Sequence, residues 1–299
     1  MDGFNLEKST ELGNDMMSMS VIIPAYNEEL AVRRTIEEVF SALEPTGIEY
    51  EVIVVDDGSK DQTRSEALLT RAKVTWNEMN SGYGASLKRG IRTAKYPFIA
   101  ILDADGTYSA QYLPEMLELC RYQDMVVGDR GATMRNVPLI RKPAKVVLNS
   151  LASFLAERKL NDLNSGLRIF RKLELMPFLP LLPQNFSFTT TITLCMSCSG
   201  KRMAYFPITY RKRIGDSKIR PIDFLNFIIL VLRVIVLFNP LRVFIPLGLA
   251  LFTVGFVKLC YDLTKWNLSE SAIFAFLAAI TIWSLGLIAD MISRLHLRP

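Results

Sequence analysis

The chain has 299 residues, 50% of them hydrophobic, and its 35 basic and 30 acidic residues give a formal net charge of +5. This length allows one large domain, or one domain with an appendage. The basic excess is concentrated just before the apolar C-terminal part and has no interleaved aromatic residues. It therefore argues against a nucleic-acid partner and favours lipid headgroups or a phosphorylated substrate.

The hydrophobic residues are unevenly distributed along the chain. Charged and apolar residues are interleaved up to about residue 218, whereas residues 221–292 are mostly apolar. We predict a flexible tail over residues 1–18, a soluble domain over 19–220, and a membrane-associated part beyond it. The first 18 residues are polar and lack the apolar stretch of a signal peptide, so the domain is expected to stay cytosolic.

The cysteines do not suggest a metal site. Cys195 and Cys198 form a single C-x-x-C motif, without the further ligands that zinc requires. We interpret them as small core-facing residues on a helix, in a reduced cytosolic domain.

Strand-like and helix-like segments alternate along the soluble part. The predicted strands are 20–23, ended by Pro24, then 51–55, 73–76, 98–102 and 125–127, and the predicted helices are 28–43, 61–72 and a segment after the turn 80–84 to residue 94. Such alternation predicts an α/β fold with a mostly parallel sheet covered on both faces. Ligands of such sheets bind at the carboxyl ends of the strands.

Polar residues follow three of the predicted strands, and we expect them to converge on one cleft. They are Tyr26, Glu28, Asp56, Asp57, Asp103 and Asp105. Asp103 and Asp105, separated by one small residue, have the oxygen ligands that Mg²⁺ or Mn²⁺ prefers. For Asp56 or Asp61 the alternative is that the side chain only caps the following helix.

The C-terminal part contains two apolar stretches, about 243–261 and 271–290, each of which includes an uncharged run, 243–257 in the first and 272–289 in the second. Each is near the ~20 residues needed to cross ~30 Å of hydrocarbon, so we predict a hairpin of two transmembrane helices within residues 241–292. Basic residues precede the first stretch, and Arg294 and Arg298 follow the second. This pattern places both ends of the hairpin in the cytosol.

Residues 221–238 are mostly apolar but carry a narrow polar stripe. Asp223, Asn226 and Arg233 share one helical face, which favours an amphipathic helix lying at the membrane interface. A third transmembrane span is the alternative. It would place Arg294 and Arg298 on the opposite side of the membrane.

Seven motifs occur in a fixed order along the chain. They are VIIPAYNEE from Val21, VIVVDDGSKDQT from Val52, NSGYGAS from Asn80, ILDADGTY from Ile101, VVGDR from Val126, DLNSGLRIFRK from Asp162 and YRKRIGDSK from Tyr210. Together they resemble the family 2 nucleotide-diphospho-sugar transferases with the GT-A fold, and among them the dolichyl-phosphate mannose synthase and polyprenyl-phosphate glycosyltransferase group. The resemblance extends from about Ser18 to the C-terminus. It implies a Rossmann-like GT-A domain that transfers a sugar with inversion from a UDP- or GDP-linked donor.

The resemblance also implies roles for the matching residues. Those expected at the nucleotide are Pro24, Tyr26, Glu28, Val55, Asp57, Asp103 and Ala104. Asp105, together with Asp103, would ligate Mg²⁺ or Mn²⁺. Thr107 stands where many relatives have a glutamine ligand, so its role at the metal is an open question. Arg130 would contact the donor, and Lys218 would contact phosphate with a basic residue among Arg211, Lys212 and Arg213.

The sequence also indicates the acceptor. Relatives that act on hydroxyl acceptors place a carboxylate on the helix that here reads FSFTTTITL (186–194), which contains no acid. A phosphate acceptor is already anionic at pH 7 and needs no general base. Together with the membrane tail, this favours a polyprenyl phosphate in a lipid bilayer, with a homo-oligomer left open. The alternatives are transfer to a hydroxyl of a saccharide or another lipid, and a catalytically idle membrane scaffold.

Overall fold

The computed structural model describes residues 17–131, 153, 159–184, 187–211, 229, 232–266 and 269–296. These residues fall into two compact units. The first lies within Met1–Val137, Asn164–Ile192 and Lys201–Lys218, and the second within Pro138–Leu163, Thr193–Gly200 and Ile219–Pro299.

The first unit is built on one seven-stranded sheet. Its strands are β1 (Ser18–Ala25), β2 (Glu49–Asp56), β3 (Lys73–Trp76), β4 (Phe98–Ile101), β5 (Met125–Asp129), β6 (Arg168–Arg171) and β7 (Met203–Pro207). They are ordered β3-β2-β1-β4-β6-β5-β7. Only β6 is antiparallel to its neighbours. The other six strands therefore end at the same edge, which confirms the predicted mostly parallel sheet.

The helices of the described residues are α1 (Val32–Leu43), α2 (Thr63–Leu68), α3 (Tyr83–Thr93), α4 (Leu113–Leu119), α5 (Phe188–Cys198), α6 (Leu241–Thr264) and α7 (Glu270–His296). A single helical turn spans Lys172–Leu175, and short 3-10 turns span Glu44–Thr46, Ala110–Tyr112 and Met176–Phe178. Residues 232–238 are also helical.

Burial on both faces of the sheet explains why residues 21–25 of β1 and all of β4 are apolar. Every residue of β1 and β4 is buried. On one face, α1 contributes Val32, Ile36, Val39 and Leu43, whose spacing gives a single apolar stripe. Fully burying one such side chain contributes roughly 1.5–3 kcal/mol, so this packing holds α1 against the sheet.

The first strand extends beyond its predicted end. We predicted that Pro24 would end it, but β1 continues to Ala25, and Pro24 pairs with Val55. The carbonyl of Ile22, on the same side of the strand as Pro24, accepts from the N–H of Leu102. The β4 ladder ends at Ile101, so the missing N–H of Pro24 faces a side where no ladder partner remains.

The second unit contains two long apolar helices. With 24 and 27 residues, α6 and α7 measure about 36 Å and 40 Å, more than the ~30 Å of a bilayer core. Length and composition make both of them candidate membrane spans. They enclose the predicted stretches 243–261 and 271–290. Of the predicted interfacial helix 221–238, the structure describes only Ile229 and residues 232–238, so that helix stays a prediction.

The side chain of Asp262 stabilises the connection between α6 and α7. Its carboxylate accepts from the ammonium of Lys258 at 2.8 Å and from the backbone N–H of Ser269 at 3.1 Å. Ser269 directly precedes α7, so one side chain joins the last turn of α6 to the start of α7. Pairing a buried carboxylate in this way offsets the cost of its burial.

Glycines let α6 and α7 approach closely. A Cβ atom at Gly248 would lie 2.3 Å from the indole nitrogen of Trp283, and one at Gly286 would lie 2.6 Å from Cβ of Phe244. Trp283 also stacks on Phe252, with ring centroids 5.8 Å apart. Small residues at helix interfaces are a common way to pack helices in lipid, where the hydrophobic effect does not drive association.

We expect Gly248→Leu to separate the hairpin, since its side chain would occupy the space of the Trp283 indole. Overpacking of this kind costs about 1–3 kcal/mol. Thermal unfolding in detergent should show a lower midpoint for Gly248→Leu than for Ala250→Leu, a change at an exposed position of the same helix. Equal midpoints for the two variants would contradict the observed packing.

Candidate active site

The loops that follow β1 and β2 are joined by reciprocal hydrogen bonds. The N–H of Asn27 donates to Oγ of Ser59 at 3.0 Å, and the N–H of Lys60 donates to Oδ1 of Asn27 at 2.9 Å. The N–H of Glu28 donates to Oγ1 of Thr63 at 2.8 Å. Asn27 has a φ of 52°, a left-handed conformation that asparagine tolerates better than most residues. The two loops therefore form one preorganised wall at the carboxyl edge of the sheet.

The residues predicted at the nucleotide lie along this wall. Pro24 and Val55 are paired in adjacent strands. Half-buried Tyr26 follows β1 directly, and Glu28 belongs to the cross-linked loop. These four residues therefore lie at the carboxyl ends of two adjacent strands, and their contact with a nucleotide stays a prediction.

The carboxylate of Asp57 holds the turn that precedes α3. It accepts from the backbone N–H of Ser81 at 3.0 Å, from that of Gly82 at 2.9 Å, and from the side-chain amide of Asn77 at 2.7 Å. Gly82 has a φ of 102°, which favours glycine. Asp57, predicted to contact the nucleoside, therefore also organises residues 80–84.

The neighbouring Asp56 has a different partner. Its fully buried carboxylate contacts Nε and Nη2 of Arg64, at 3.0 and 2.9 Å, and the guanidinium of Arg64 lies over the ring of Trp76. Asp61 accepts from the N–H of Thr63 at 3.0 Å, at the start of α2. Both aspartates thus make local contacts with α2, but the N-cap of that helix is Gln62 and no side-chain hydrogen bond caps it, so the helix-capping alternative for Asp56 or Asp61 is not borne out.

Asp103 lies in a narrow cradle directly after β4. The hydroxyl of Tyr83 donates to its Oδ1 at 2.8 Å. On the other side is Gly166, where an added Cβ would lie 2.0 Å from Oδ2 of Asp103. The N–H of Gly166 in turn donates to the hydroxyl of Tyr108 at 2.7 Å. Only glycine allows the backbone to approach the carboxylate this closely.

The phenol of Tyr83 is suited to donate at neutral pH. Its burial, and secondly the charge of the adjacent Asp103 carboxylate, raise the pKa of Tyr83 well above the usual value for tyrosine. The proton therefore stays on the phenol oxygen and is available to Asp103.

Asp105 is supported by Thr107. Its Oδ1 accepts from the backbone N–H of Thr107 at 3.1 Å and from the Thr107 hydroxyl at 2.5 Å. Asp105 and Thr107 are both buried, and so is Ala104, which lies between Asp103 and Asp105. Whether Thr107 would itself ligate a cation stays open, but its hydroxyl already orients the Asp105 carboxylate.

The donor set at this edge suits a divalent cation that arrives with a substrate. No group of three or more His, Cys, Asp or Glu side chains within the described residues is arranged to hold a metal ion. Mg²⁺ is usually held by one or two carboxylates together with substrate phosphates and water. The closely held oxygens of Asp103 and Asp105 fit that pattern.

Arg130 lies beside this cradle, at the end of β5. Its guanidinium is 5.3 Å from the ring centroid of Tyr210, and Tyr210 packs edge-on against Tyr108 with centroids 5.1 Å apart. Since Tyr108 accepts from Gly166, the aromatic pair connects Arg130 to the turn at Asp103. The structure therefore places Arg130 near the Asp103 cradle, and its contact with the donor stays a prediction.

Arg211 is engaged within the protein. Its guanidinium contacts both carboxylate oxygens of Glu38, at 2.7 and 3.0 Å, and Oγ of Ser109 at 3.1 Å. Its N–H donates to the carbonyl of Thr107 at 2.9 Å. Arg211 thus joins α1 to the segment after Asp105. The other basic residues predicted at the donor, Lys212, Arg213 and Lys218, lie outside the described residues.

Three residues of the site were not predicted individually. Tyr83 and Gly166 lie in the motifs NSGYGAS and DLNSGLRIFRK, but neither motif indicates that they touch Asp103. Arg168 is fully buried at the start of β6, where it donates to the carbonyls of Ser165, at 3.0 Å, and Thr189, at 2.9 Å. No local pattern in the sequence indicates this role of Arg168, since β6 contains a second arginine, Arg171.

Arg168 also places the first turn of α5 near the cradle. Oγ1 of Thr189 donates to Oδ1 of Asn164 at 2.6 Å. The contacts of Arg168 and Asn164 therefore attach α5 to both sides of the turn that carries Gly166.

Two family models match this chain. The one described as glycosyl transferase family 2 matches residues 20–174, more than half of the chain, and includes β1 to β6. The one described as the GtrB C-terminal hairpin matches residues 239–295, which include α6 and most of α7.

Two characterised relatives illustrate the sequence similarity. The dolichyl-phosphate hexose transferase of Haloferax volcanii is 30% identical over 207 residues, which cover 68% of this chain and 87% of that protein. The undecaprenyl-phosphate 4-deoxy-4-formamido-L-arabinose transferase of Photorhabdus laumondii is 26% identical over 298 residues, covering 93% of this chain and 89% of that protein.

The fold is also found in solved structures. Glucosyl-3-phosphoglycerate synthase from Mycobacterium tuberculosis, in complex with Mn²⁺, UDP and phosphoglyceric acid, superposes with a TM-score of 0.58 at 19% identity. The match covers 79% of this chain and 84% of that one. This similarity supports the shared architecture of the sheet.

We expect Gly166→Ala to disable the site without unfolding the first unit, since the added methyl group must displace the Asp103 carboxylate. Gly90→Ala is the matched control, because its Cβ would clash with Ile22 at 2.5 Å in the core, away from the cradle. Thermal unfolding and nucleotide binding should be measured for both variants. Gly166→Ala should lose nucleotide affinity out of proportion to its loss of stability, and equal behaviour of the two variants would contradict the cradle.

Proposed function

This chain belongs to glycosyl transferase family 2, and on that premise we propose that it transfers a sugar from a nucleoside diphosphate to a polyprenyl phosphate. The observation that carries the acceptor assignment is the composition of α5. Its first turn is attached to the turn beside Asp103, yet Phe188–Cys198 contains no carboxylate. A hydroxyl acceptor would need a general base at this position, whereas a phosphate oxygen is already anionic at pH 7.

The characterised relatives support this acceptor class. Both names include a lipid-linked phosphate, dolichyl phosphate in one case and undecaprenyl phosphate in the other. The sugars named differ, a hexose and a formamido-arabinose. The proposal therefore covers a UDP- or GDP-linked sugar without specifying which one.

In the proposed reaction, an oxygen of the acceptor phosphate attacks the anomeric carbon of the donor. The new carbon–oxygen bond forms as the bond to the donor's β-phosphate oxygen breaks, and the electron pair leaves with the nucleoside diphosphate. The configuration at the carbon inverts, and no proton needs to be removed from the acceptor.

The residues of the cradle would bind the donor during this step. Asp103 and Asp105 would hold Mg²⁺ or Mn²⁺, and Arg130 would contact the donor diphosphate, with Lys218 as a further phosphate contact. When bound, the cation neutralises negative charge that develops on the departing diphosphate. A solved structure of the same fold contains Mn²⁺ and UDP, which supports this assignment.

We further propose that α6 and α7 cross the membrane as a hairpin, with the first unit and the C-terminus on the cytoplasmic side. Arg242 lies at the start of α6, and Arg294 lies near the end of α7. Cationic residues at these two positions favour the same, cytoplasmic side for both ends. The hairpin would supply position at the bilayer, while the first unit supplies the chemistry.

We expect the purified full-length protein to transfer sugar to a short polyprenyl phosphate about a hundredfold or more faster than to the corresponding polyprenol. General base catalysis usually contributes at least that factor, and α5 offers no base. The measurement is incorporation of labelled sugar into extracted lipid, with a panel of UDP- and GDP-sugars. Equal or faster transfer to the polyprenol would support a hydroxyl acceptor instead. Absence of both transfer and donor binding would support the idle scaffold.

We expect Asp105→Asn to lower kcat by at least about a hundredfold, corresponding to ~2.7 kcal/mol of transition-state stabilisation. Asp103→Asn should mainly raise the KM for the nucleotide sugar. Asp124→Asn is the matched control, since this buried aspartate pairs with Arg202 just before β5 begins, at the opposite edge of the sheet. Its loss should lower stability and leave the metal requirement unchanged. Near-normal turnover of Asp105→Asn at the usual metal concentration would remove Asp105 from the site.

A further inference from the structure

Hydrogen bonds at both ends of the segment 81–83 link Asp57 to Asp103. The Asp57 carboxylate accepts from the backbone N–H groups of Ser81 and Gly82. The next residue, Tyr83, donates its hydroxyl to Oδ1 of Asp103 at 2.8 Å. The path therefore runs from the loop after β2, through the turn before α3, to the carboxylate after β4.

We propose that Tyr83 is a positioning residue, which holds the Asp103 carboxylate in the orientation required by the metal-bound diphosphate. This inference rests on the proposed function, in which Asp103 and Asp105 bind the cation. It assigns Tyr83 a role that is exerted through the Asp103 carboxylate.

The need for such a residue follows from the side chain of aspartate. The terminal torsion of Asp is broad, so an aspartate at the end of a strand does not hold one orientation by itself. At Asp103, the Tyr83 hydroxyl engages Oδ1 and the backbone of Gly166 limits the space around Oδ2. Together these two contacts restrict the rotation of the carboxylate.

Tyr83 can perform this role because its own backbone is anchored on two sides. Asp57 holds the residues before it, as described above. After it, the N–H of Ala85 donates to the carbonyl of Gln184 at 2.9 Å, and a Cβ at Gly84 would lie 2.2 Å from the carbonyl oxygen of Pro183. The start of α3 is therefore fixed, so the rigid phenol ring of Tyr83 keeps its hydroxyl in one place beside the Asp103 carboxylate.

The arrangement has a consequence for Asp57. Because Asp57 acts on Asp103 through the turn and Tyr83, Asp57→Asn should weaken cation binding in addition to any effect on the nucleoside. The two substitutions Asp57→Asn and Tyr83→Phe interrupt the same path. Their effects on cation affinity should therefore be less than additive when combined.

The test uses the full-length protein in detergent, with Mn²⁺ as the probe and GDP or UDP present in separate titrations. Free Mn²⁺ is followed by electron paramagnetic resonance. Substitution of groups that orient metal ligands typically costs ten- to a hundredfold in affinity, so we expect Tyr83→Phe to weaken Mn²⁺ binding about tenfold. Saturating Mn²⁺ should restore most of its kcat, which a general loss of packing would not allow.

Tyr112→Phe is the control, since it likewise removes one hydrogen-bonded tyrosine hydroxyl. The hydroxyl of Tyr112 accepts from the backbone N–H of Thr209 at 3.2 Å. It should bind Mn²⁺ like the wild type. Wild-type Mn²⁺ affinity in both Tyr83→Phe and Asp57→Asn would overturn the inference, as would a loss of kcat that Mn²⁺ does not restore. If the wild type binds Mn²⁺ and nucleotide but transfers no sugar to polyprenyl phosphate, the proposed function fails, while weaker Mn²⁺ binding by Tyr83→Phe would still support the positioning role.

Discussion

The candidate site depends on the direction of one strand. Because β6 runs antiparallel between β4 and β5, its amino end lies at the edge where the other six strands end. The turn before β6 therefore meets the residues after β4, and Gly166 reaches the carboxylate of Asp103. A parallel β6 would have brought its carboxyl end to this edge, and the turn would lie at the opposite side of the sheet.

The same geometry explains how charge is distributed at this edge. Asp56 and Arg211 contact the oppositely charged Arg64 and Glu38, so their charges are compensated within the protein. Asp103 and Asp105 accept from the neutral hydroxyls of Tyr83 and Thr107. These two hydroxyl donors hold the carboxylates in defined orientations.

The sequence predicted the sheet and the positions of Asp57, Asp103 and Asp105 after two of its strands, because both follow from local patterns of apolar runs and the residues that end them. It did not predict β6 and β7, which are short and include charged or half-buried residues. It also could not relate Tyr83 to Asp103 or Gly166 to Asp103. These contacts join segments distant in sequence, and only the packing of α3 and the turn before β6 onto the sheet edge creates them.

The composition of α5 and the presence of the hairpin are connected by the chemistry of the proposed acceptor. A polyprenyl phosphate carries its own nucleophilic charge, so the protein needs no base on α5, but the lipid confines that phosphate to the membrane surface. A soluble catalytic domain would meet it only by diffusion, whereas an attached hairpin makes the encounter effectively intramolecular. Close packing at Gly248 and Gly286 holds α6 and α7 of that hairpin against each other. In the proposed function, the acceptor needs no deprotonation, and the protein instead contributes by holding its catalytic domain at the bilayer where the acceptor phosphate lies.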